Sequence, residues 1–151
     1  MPDSRRVLAF DYGQRRIGVA CGQTLTGNAS PLTTLDCPSL QPDWQLIEKL
    51  ISDWQPDVVV VGLPRRQDGS DSDATIAARA FADELQRRFQ VRTDLHDETL
   101  SSRAAESILR EQRRDGRRAR VQKTDVDRLA AALILQSWLD ENTGAFNPPA
   151  Q

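Results

Sequence analysis

The chain has 151 residues, 38% hydrophobic and 28% charged, with 20 Lys and Arg against 22 Asp and Glu and a net charge of −2. That length and balance fit one folded domain and exclude a disordered or fibrous chain. The longest apolar run, Leu129 to Leu135, falls far short of the ~20 residues a bilayer requires, and MPDSRRVLAF holds no signal-like apolar stretch, so a cytoplasmic protein with no membrane association is expected. Cys21 and Cys37 form no CxxC or metal-ligand spacing and are expected as reduced thiols.

The first element is an apolar run from Arg6 to Phe10 that ends at Asp11. It turns through Tyr12, Gly13 and Gln14 into a second run from Arg16 to Cys21, which reads as a β-hairpin. A third strand is expected over Ala29 to Leu35, near a sheet edge because Pro31 donates no ladder hydrogen bond. Trp44, Ile47, Leu50, Ile51 and Trp54 recur at helical spacing, so 43–54 reads as an amphipathic helix closed by Pro56. Four valines, Val58 to Val61, then mark a strand buried on both faces. After a loop from Pro64 to Ser72, the spacing predicts a helix over 74–89, capped by Ser72 or Asp73, with Ala77, Ala80, Phe81, Leu85 and Phe89 as its apolar stripe. Val91, Thr93 and Leu95 alternate as a strand terminating in Asp97 and Glu98. A short helix is expected over 102–110, and Thr124 is read as the cap of a last helix running to Leu139, apolar nearly all round and hence buried. Gly144, Pro148 and Pro149 mark a loose tail, giving a single domain over 1–141 and a flexible tail over 142–151.

Three antiparallel strands followed by strands alternating with helices describe an α/β layered domain, with the two later strands parallel to the first. Ligands in open α/β sheets gather outside the carboxyl ends of the parallel strands. The acids lie there: Asp11 ends the first strand, Glu98 ends the last, and Asp127 sits in the first turn of the final helix. Clustered carboxylates repel unless a cation neutralises them, and a hard divalent ion does so. A pair of such ions about 3.5–4 Å apart can activate a water and stabilise the leaving oxygen of a phosphodiester. Each acid also has a purely structural use: Asp11 as a turn residue, Glu98 as a helix cap, Asp127 as the N3 partner of Thr124 in a capping box. Ala130, Ala131 and Ile134 follow Asp127 at i+3, i+4 and i+7 on an inward stripe. Asp125, two residues away, points in roughly the opposite direction, so at most one of the two faces the cluster.

Of the 20 basic residues 18 are Arg, the side chain suited to forked contacts with carboxylate or phosphate. Seven cations, among them Arg113, Arg114, Arg117, Arg118 and Lys123, stand against two acids between Arg110 and Lys123. A charge run of this kind is either a solvated loop around Gly116 or a surface that contacts a phosphate backbone.

Four stretches in order resemble the YqgF family: Leu8 to Ala20 (LAFDYGQRRIGVA), Gly62 to Ser70 (GLPRRQDGS), Asp97-Glu98-Thr99 with Ser101, Ser102, Ala105 and Glu106, and Val126 to Gln136 (VDRLAAALILQ). Members of that family are RNase H-like proteins, described as resembling Holliday-junction resolvases and as nucleases proposed to mature the 5′ end of pre-16S ribosomal RNA. The resemblance implies an RNase H-like fold, a mixed five-stranded sheet flanked by helices. It implies an endonuclease with Asp11, Glu98 and Asp127 as catalytic residues and as ligands of Mg²⁺ or Mn²⁺, leaving 5′-phosphate and 3′-hydroxyl ends. In the family's glycine-rich loop, Gly69 and Ser70 would approach the nucleic-acid backbone, and Arg15 and Arg16 would clamp phosphate beside Asp11. The Arg-rich stretch would hold structured or single-stranded RNA, or branched DNA, and ribosomal precursor particles are the expected setting. A plain loop at 69–70 and a local salt bridge at Arg15 or Arg16 would give the same residues.

Other readings are a Holliday-junction resolvase, which usually asks for a two-fold dimer, and a non-catalytic RNA-binding adaptor of the transcription or translation machinery on the same fold. A phosphotransferase of the actin type needs two such domains and is disfavoured by length. The single histidine, His96, can assist proton transfer or serve the fold, and the fold is the commoner use.

Overall fold

The computed structural model describes residues 5–64, 68–97 and 123–142. Glu98, the helix expected over 102–110, the Arg-rich stretch and the C-terminal tail lie outside the described residues.

The elements are β1 (Arg6–Asp11), β2 (Arg16–Gln23), β3 (Asn28–Asp36), a 3-10 turn at Pro38–Leu40, α1 (Trp44–Trp54), β4 (Val58–Leu63), α2 (Asp73–Phe89), β5 (Arg92–Asp97) and α3 (Lys123–Asn142). The strands form one sheet in the order β3-β2-β1-β4-β5. β1 pairs antiparallel with β2 and β2 with β3, whereas β4 runs parallel to both β1 and β5. This is the mixed sheet of three antiparallel and two parallel strands that the sequence leads one to expect. Pro31 sits on the edge strand β3, and the β2–β3 register slips between Val19 and Ala20, where β3 passes from Thr33 to Pro31 and leaves one extra residue, Leu32.

Strand alternation divides the core into two layers. Leu8, Phe10, Ile17, Val19, Val59 and Val61 pack with Ile47 of α1 and with Ala78, Phe81 and Leu85 of α2. Val7, Ala9, Ala20, Val58 and Val60 face the other way, onto Ala131, Ile134, Leu135, Trp138 and Leu139 of α3. β4 is buried at all six positions because both layers cover it.

Three details depart from the sequence expectation. The stripe of α2 is Ala78, Phe81, Ala82 and Leu85, an i, i+3, i+4, i+7 set; Ala80, about 100° around the helix from Phe81, is exposed. α3 begins at Lys123, so Thr124 lies within its first turn rather than capping it. On β5, Leu95 is exposed, and the strand is tied to α3 by polar contacts instead. Trp138 donates from Nε1 to Asp94 Oδ2 at 3.1 Å, and His96 Nε2 lies 2.9 Å from Ser137 Oγ. The cap of α2 is Ser72, whose hydroxyl accepts from the Thr75 amide in a reciprocal capping box. Both cysteines are free thiols, and among the described residues no helix is long and apolar enough to cross a membrane.

Candidate active site

Asp11 is the last residue of β1 and follows Val7 and Ala9 on the face that α3 covers. In the antiparallel ladder Asp11 stands opposite Gly18. A side-chain carbon on Gly18 would overlap the backbone carbonyl of Asp127. The bare backbone of Gly18 therefore admits the N-terminal end of α3 onto β2, at the end of the sheet where Asp11 emerges. Because α3 already begins at Lys123, Asp127 lies just past its first turn rather than within it as the sequence led one to expect. Gly18 thus stands between two acids far apart in sequence: its partner across the ladder is Asp11, and its backbone neighbour on α3 is Asp127.

The turn between β1 and β2 is fixed from three sides. A carbon on Gly13 would lie 2.6 Å from the Arg16 carbonyl oxygen, so the turn closes only with glycine there. The Cys37 amide donates to the Arg15 carbonyl at 2.9 Å. Tyr12 stacks on Phe81 with ring centroids 4.8 Å apart, and Phe81 stacks in turn on Trp44 at 5.6 Å. Burial raises the Tyr12 hydroxyl above its ordinary pKa, with the Cys37 thiol contributing in the same direction.

Arg16 opens β2 and donates from Nε to Asp127 Oδ2 at 2.7 Å. The neighbouring Arg15 is exposed. Tyr12, Gly13, Arg15, Arg16, Asp73 and Asp127 line one cleft of about 580 Å³ between the β1–β2 turn, the start of α2 and the start of α3. Asp125 takes a different course: it is buried and accepts a hydrogen bond from Arg128, one turn along its own helix. Of the two acids, Asp127 is the one in the cleft, as opposed directions at i and i+2 require.

Asp11 and Asp127 are hard carboxylate donors, the chemistry that Mg²⁺ and Mn²⁺ take, so the residues present fit such an ion. Among the described residues no three His, Cys, Asp or Glu side chains cluster; the third expected acid, Glu98, follows Asp97 at the end of β5 and lies outside them.

The other expected contacts fall in different places. Ser70 is exposed, its amide and hydroxyl both donating to Asp68 Oδ1 at 2.8 and 2.6 Å, and these bonds hold the Asp68 carboxyl below its usual pKa. Gly69 supplies the positive φ of 86° for that turn. Lys123 begins α3 at the Asp127 end, while Arg113, Arg114, Arg117 and Arg118 lie outside the described residues. His96 contacts Ser137, ten residues and hence about 15 Å along α3 from Asp127, and serves the β5–α3 packing.

Sequence reasoning assigned no role to Gly18 or Gln136. The signal for Gly18 lies in β2, where Gly18, Ala20 and Gly22 alternate with Ile17, Val19 and Cys21, a strip of small residues on one face onto which a helix can settle. Gln136 spans two chain segments, accepting from the Ala29 amide at 3.0 Å and donating to the Gly27 carbonyl at 2.7 Å.

The model of the RuvX family, described as "Holliday junction resolvase", matches residues 5–141. The chain belongs to the RuvX family. It is the family to which the YqgF motifs pointed. A relative from Pectobacterium carotovorum, named "Putative pre-16S rRNA nuclease", is 50% identical over 137 residues, covering 91% of this chain and 96% of its own. A second of the same name, from Pseudomonas fluorescens, is 47% identical over 143 residues, covering 95% and 97%. Among solved structures, T. thermophilus RuvC in complex with a Holliday junction substrate superposes with a TM-score of 0.52. It is 15% identical and covers 90% of this chain and 94% of that one, a likeness of fold.

Proposed function

We propose that this RuvX-family chain is a metal-dependent endonuclease that cleaves phosphodiester bonds in the 5′ leader of pre-16S ribosomal RNA, in the cytoplasm and on ribosomal precursor particles. The observation that carries the reading is that Gly18 pairs with Asp11 and abuts the Asp127 backbone, while Asp127, Arg15 and Arg16 line one cleft. Relatives named as pre-16S rRNA nucleases at 47–50% identity over nearly whole chains support the substrate.

Asp11 and Asp127, with Glu98 as third acid, would hold Mg²⁺ or Mn²⁺. When bound, such an ion supplies an activated water and stabilises charge on the leaving oxygen. Arg15 and Arg16 contribute guanidinium groups matched to phosphate oxygens, which orient the strand over the acids. Arg113, Arg114, Arg117, Arg118 and Lys123 add sequence-independent attraction to the backbone, a term that weakens steeply with salt. The cleft reads phosphate and is indifferent to the sugar except where a 2′-hydroxyl is contacted.

A second reading, resolution of four-way DNA junctions, is favoured by the description of the family. Side-by-side incubation of a labelled pre-16S 5′-leader RNA and a four-way DNA junction with Mg²⁺ or Mn²⁺ separates the two. Metal-dependent cutting of the RNA that is lost in Asp11→Asn is the expected result. Cutting of the junction alone assigns the chain to resolution, and binding of both without cutting assigns it to a non-catalytic adaptor.

A further inference from the structure

Arg16 and Asp127 form a pair whose place in the cleft conflicts with the use of Asp127 as a metal ligand. The guanidinium Nε donates to Oδ2 at 2.7 Å, and the side chains are 29% and 22% exposed, so the contact faces the cleft rather than the core. The backbone of Arg16 is fixed, because it opens the β2 ladder opposite Asp36 and follows the Arg15 carbonyl held by Cys37. The side chain alone can move, over the width of a cleft it already lines.

Charge decides what that movement would do. While Asp127 is not a metal ligand, the Arg16 guanidinium offsets the charge of its carboxylate. With a doubly charged ion held by the two carboxylates, a guanidinium at hydrogen-bond distance from one of them becomes a like charge beside the ion. A nucleic-acid phosphate then offers that guanidinium the same forked acceptor geometry that the carboxylate gave up.

We propose that Arg16 is an exchangeable counter-cation: it holds Asp127 in the metal-free protein and transfers to a substrate phosphate when Asp127 becomes a metal ligand. The proposal rests on the metal-site reading above and adds an order of events to it. Metal and nucleic acid would bind with mutual reinforcement, since occupation of Asp127 frees the phosphate-binding group, and such coupling is reciprocal.

The test is titration of Mn²⁺ alone, followed by the electron paramagnetic resonance of the free ion, into wild type, Arg16→Gln, Arg16→Lys and Asp127→Asn. Arg16→Gln should bind Mn²⁺ roughly threefold to tenfold more tightly than wild type, the range expected on removal of a partly exposed competing ion pair. Arg16→Lys, which keeps the charge, should stay within about twofold of wild type on the same reasoning. In Ca²⁺, Arg16→Gln should at the same time retain leader RNA more weakly. A merely structural Arg16 would loosen both ligands together. Mn²⁺ binding by wild type that is lost in Asp127→Asn but no tighter in Arg16→Gln overturns the exchange and leaves the metal site standing. No Mn²⁺ binding by wild type overturns both.

Discussion

Gly18 and Asp127 are in backbone contact: the space a Gly18 side chain would need is filled by the Asp127 carbonyl group. This contact sets how closely α3 lies on β2, and with it the position of the Asp127 carboxylate relative to Asp11. Gly22, on the same face of the strand, is confined as well, since a carbon there would lie 2.8 Å from the Asn28 carbonyl oxygen and 3.2 Å from Leu135 and Leu139.

Substitution of these two glycines should separate stability from activity. Both Gly18→Ala and Gly22→Ala overpack the β2–α3 interface and should each cost about 1–3 kcal/mol in urea unfolding. Gly18→Ala should in addition abolish most RNA cleavage under conditions where it is folded, because the helix turn that carries Asp127 is displaced. Gly22→Ala, a strand turn away from the acids, should retain the greater part. Equal cleavage by the two variants would show that the close approach at Gly18 serves packing alone.

Gln136 clamps α3 to the β2–β3 connection through the Gly27 carbonyl and the Ala29 amide. Gln136→Ala leaves both backbone groups without that partner and should destabilise the protein by about 1–3 kcal/mol, measured as a lower urea midpoint with little change in slope. Cleavage by the folded fraction should persist, since the clamp lies far along α3 from Asp127.

Much of this arrangement was legible in the sequence. Two apolar runs, Val7 to Phe10 and Ile17 to Cys21, joined by a turn at Gly13 gave the hairpin, the unbroken Val58 to Val61 run gave the doubly covered strand, and Pro31 placed β3 at an edge. Asp11, at the end of an apolar strand, could be picked out for the same reason. What local pattern could not supply was contact across the fold. Helical periodicity does not distinguish Ala77 from Ala78 as the inward alanine of α2, because only Phe81 and Leu85, once docked, fix the face. The partnership of Arg16 with Asp127 spans 111 residues and depends on where α3 lands, which Gly18 determines and no window of sequence reveals. His96 and Asp94 on β5 face polar groups of α3 for the same reason.

Stability should fall on the alkaline side. Burial pushes the Cys37 thiol above the 9.0 of a free thiol, with Asp36 and Asp43 nearby adding to the effect, and burial also raises Cys21. Since the folded state holds these protons more tightly than the unfolded chain, their contribution is intact below about pH 9 and is lost as pH rises through the folded values. Urea midpoints between pH 7 and 10.5 should therefore decline from about pH 9 upward. The decline should be shallower in Cys37→Ala, and an identical alkaline limb in that variant would remove Cys37 from the account.

The roles of the three aspartates are separated by single-turnover cleavage of the 5′-leader RNA by wild type, Asp11→Asn, Asp127→Asn and Asp125→Asn, each first shown to be folded at the assay temperature. Asp11→Asn and Asp127→Asn should lose roughly a hundredfold or more in rate, as expected when a ligand of the reacting centre is removed. Asp125→Asn, which disturbs the buried pair with Arg128, should lose stability yet cleave at near the wild-type rate. An inactive Asp125→Asn beside an active Asp127→Asn would contradict the site described here.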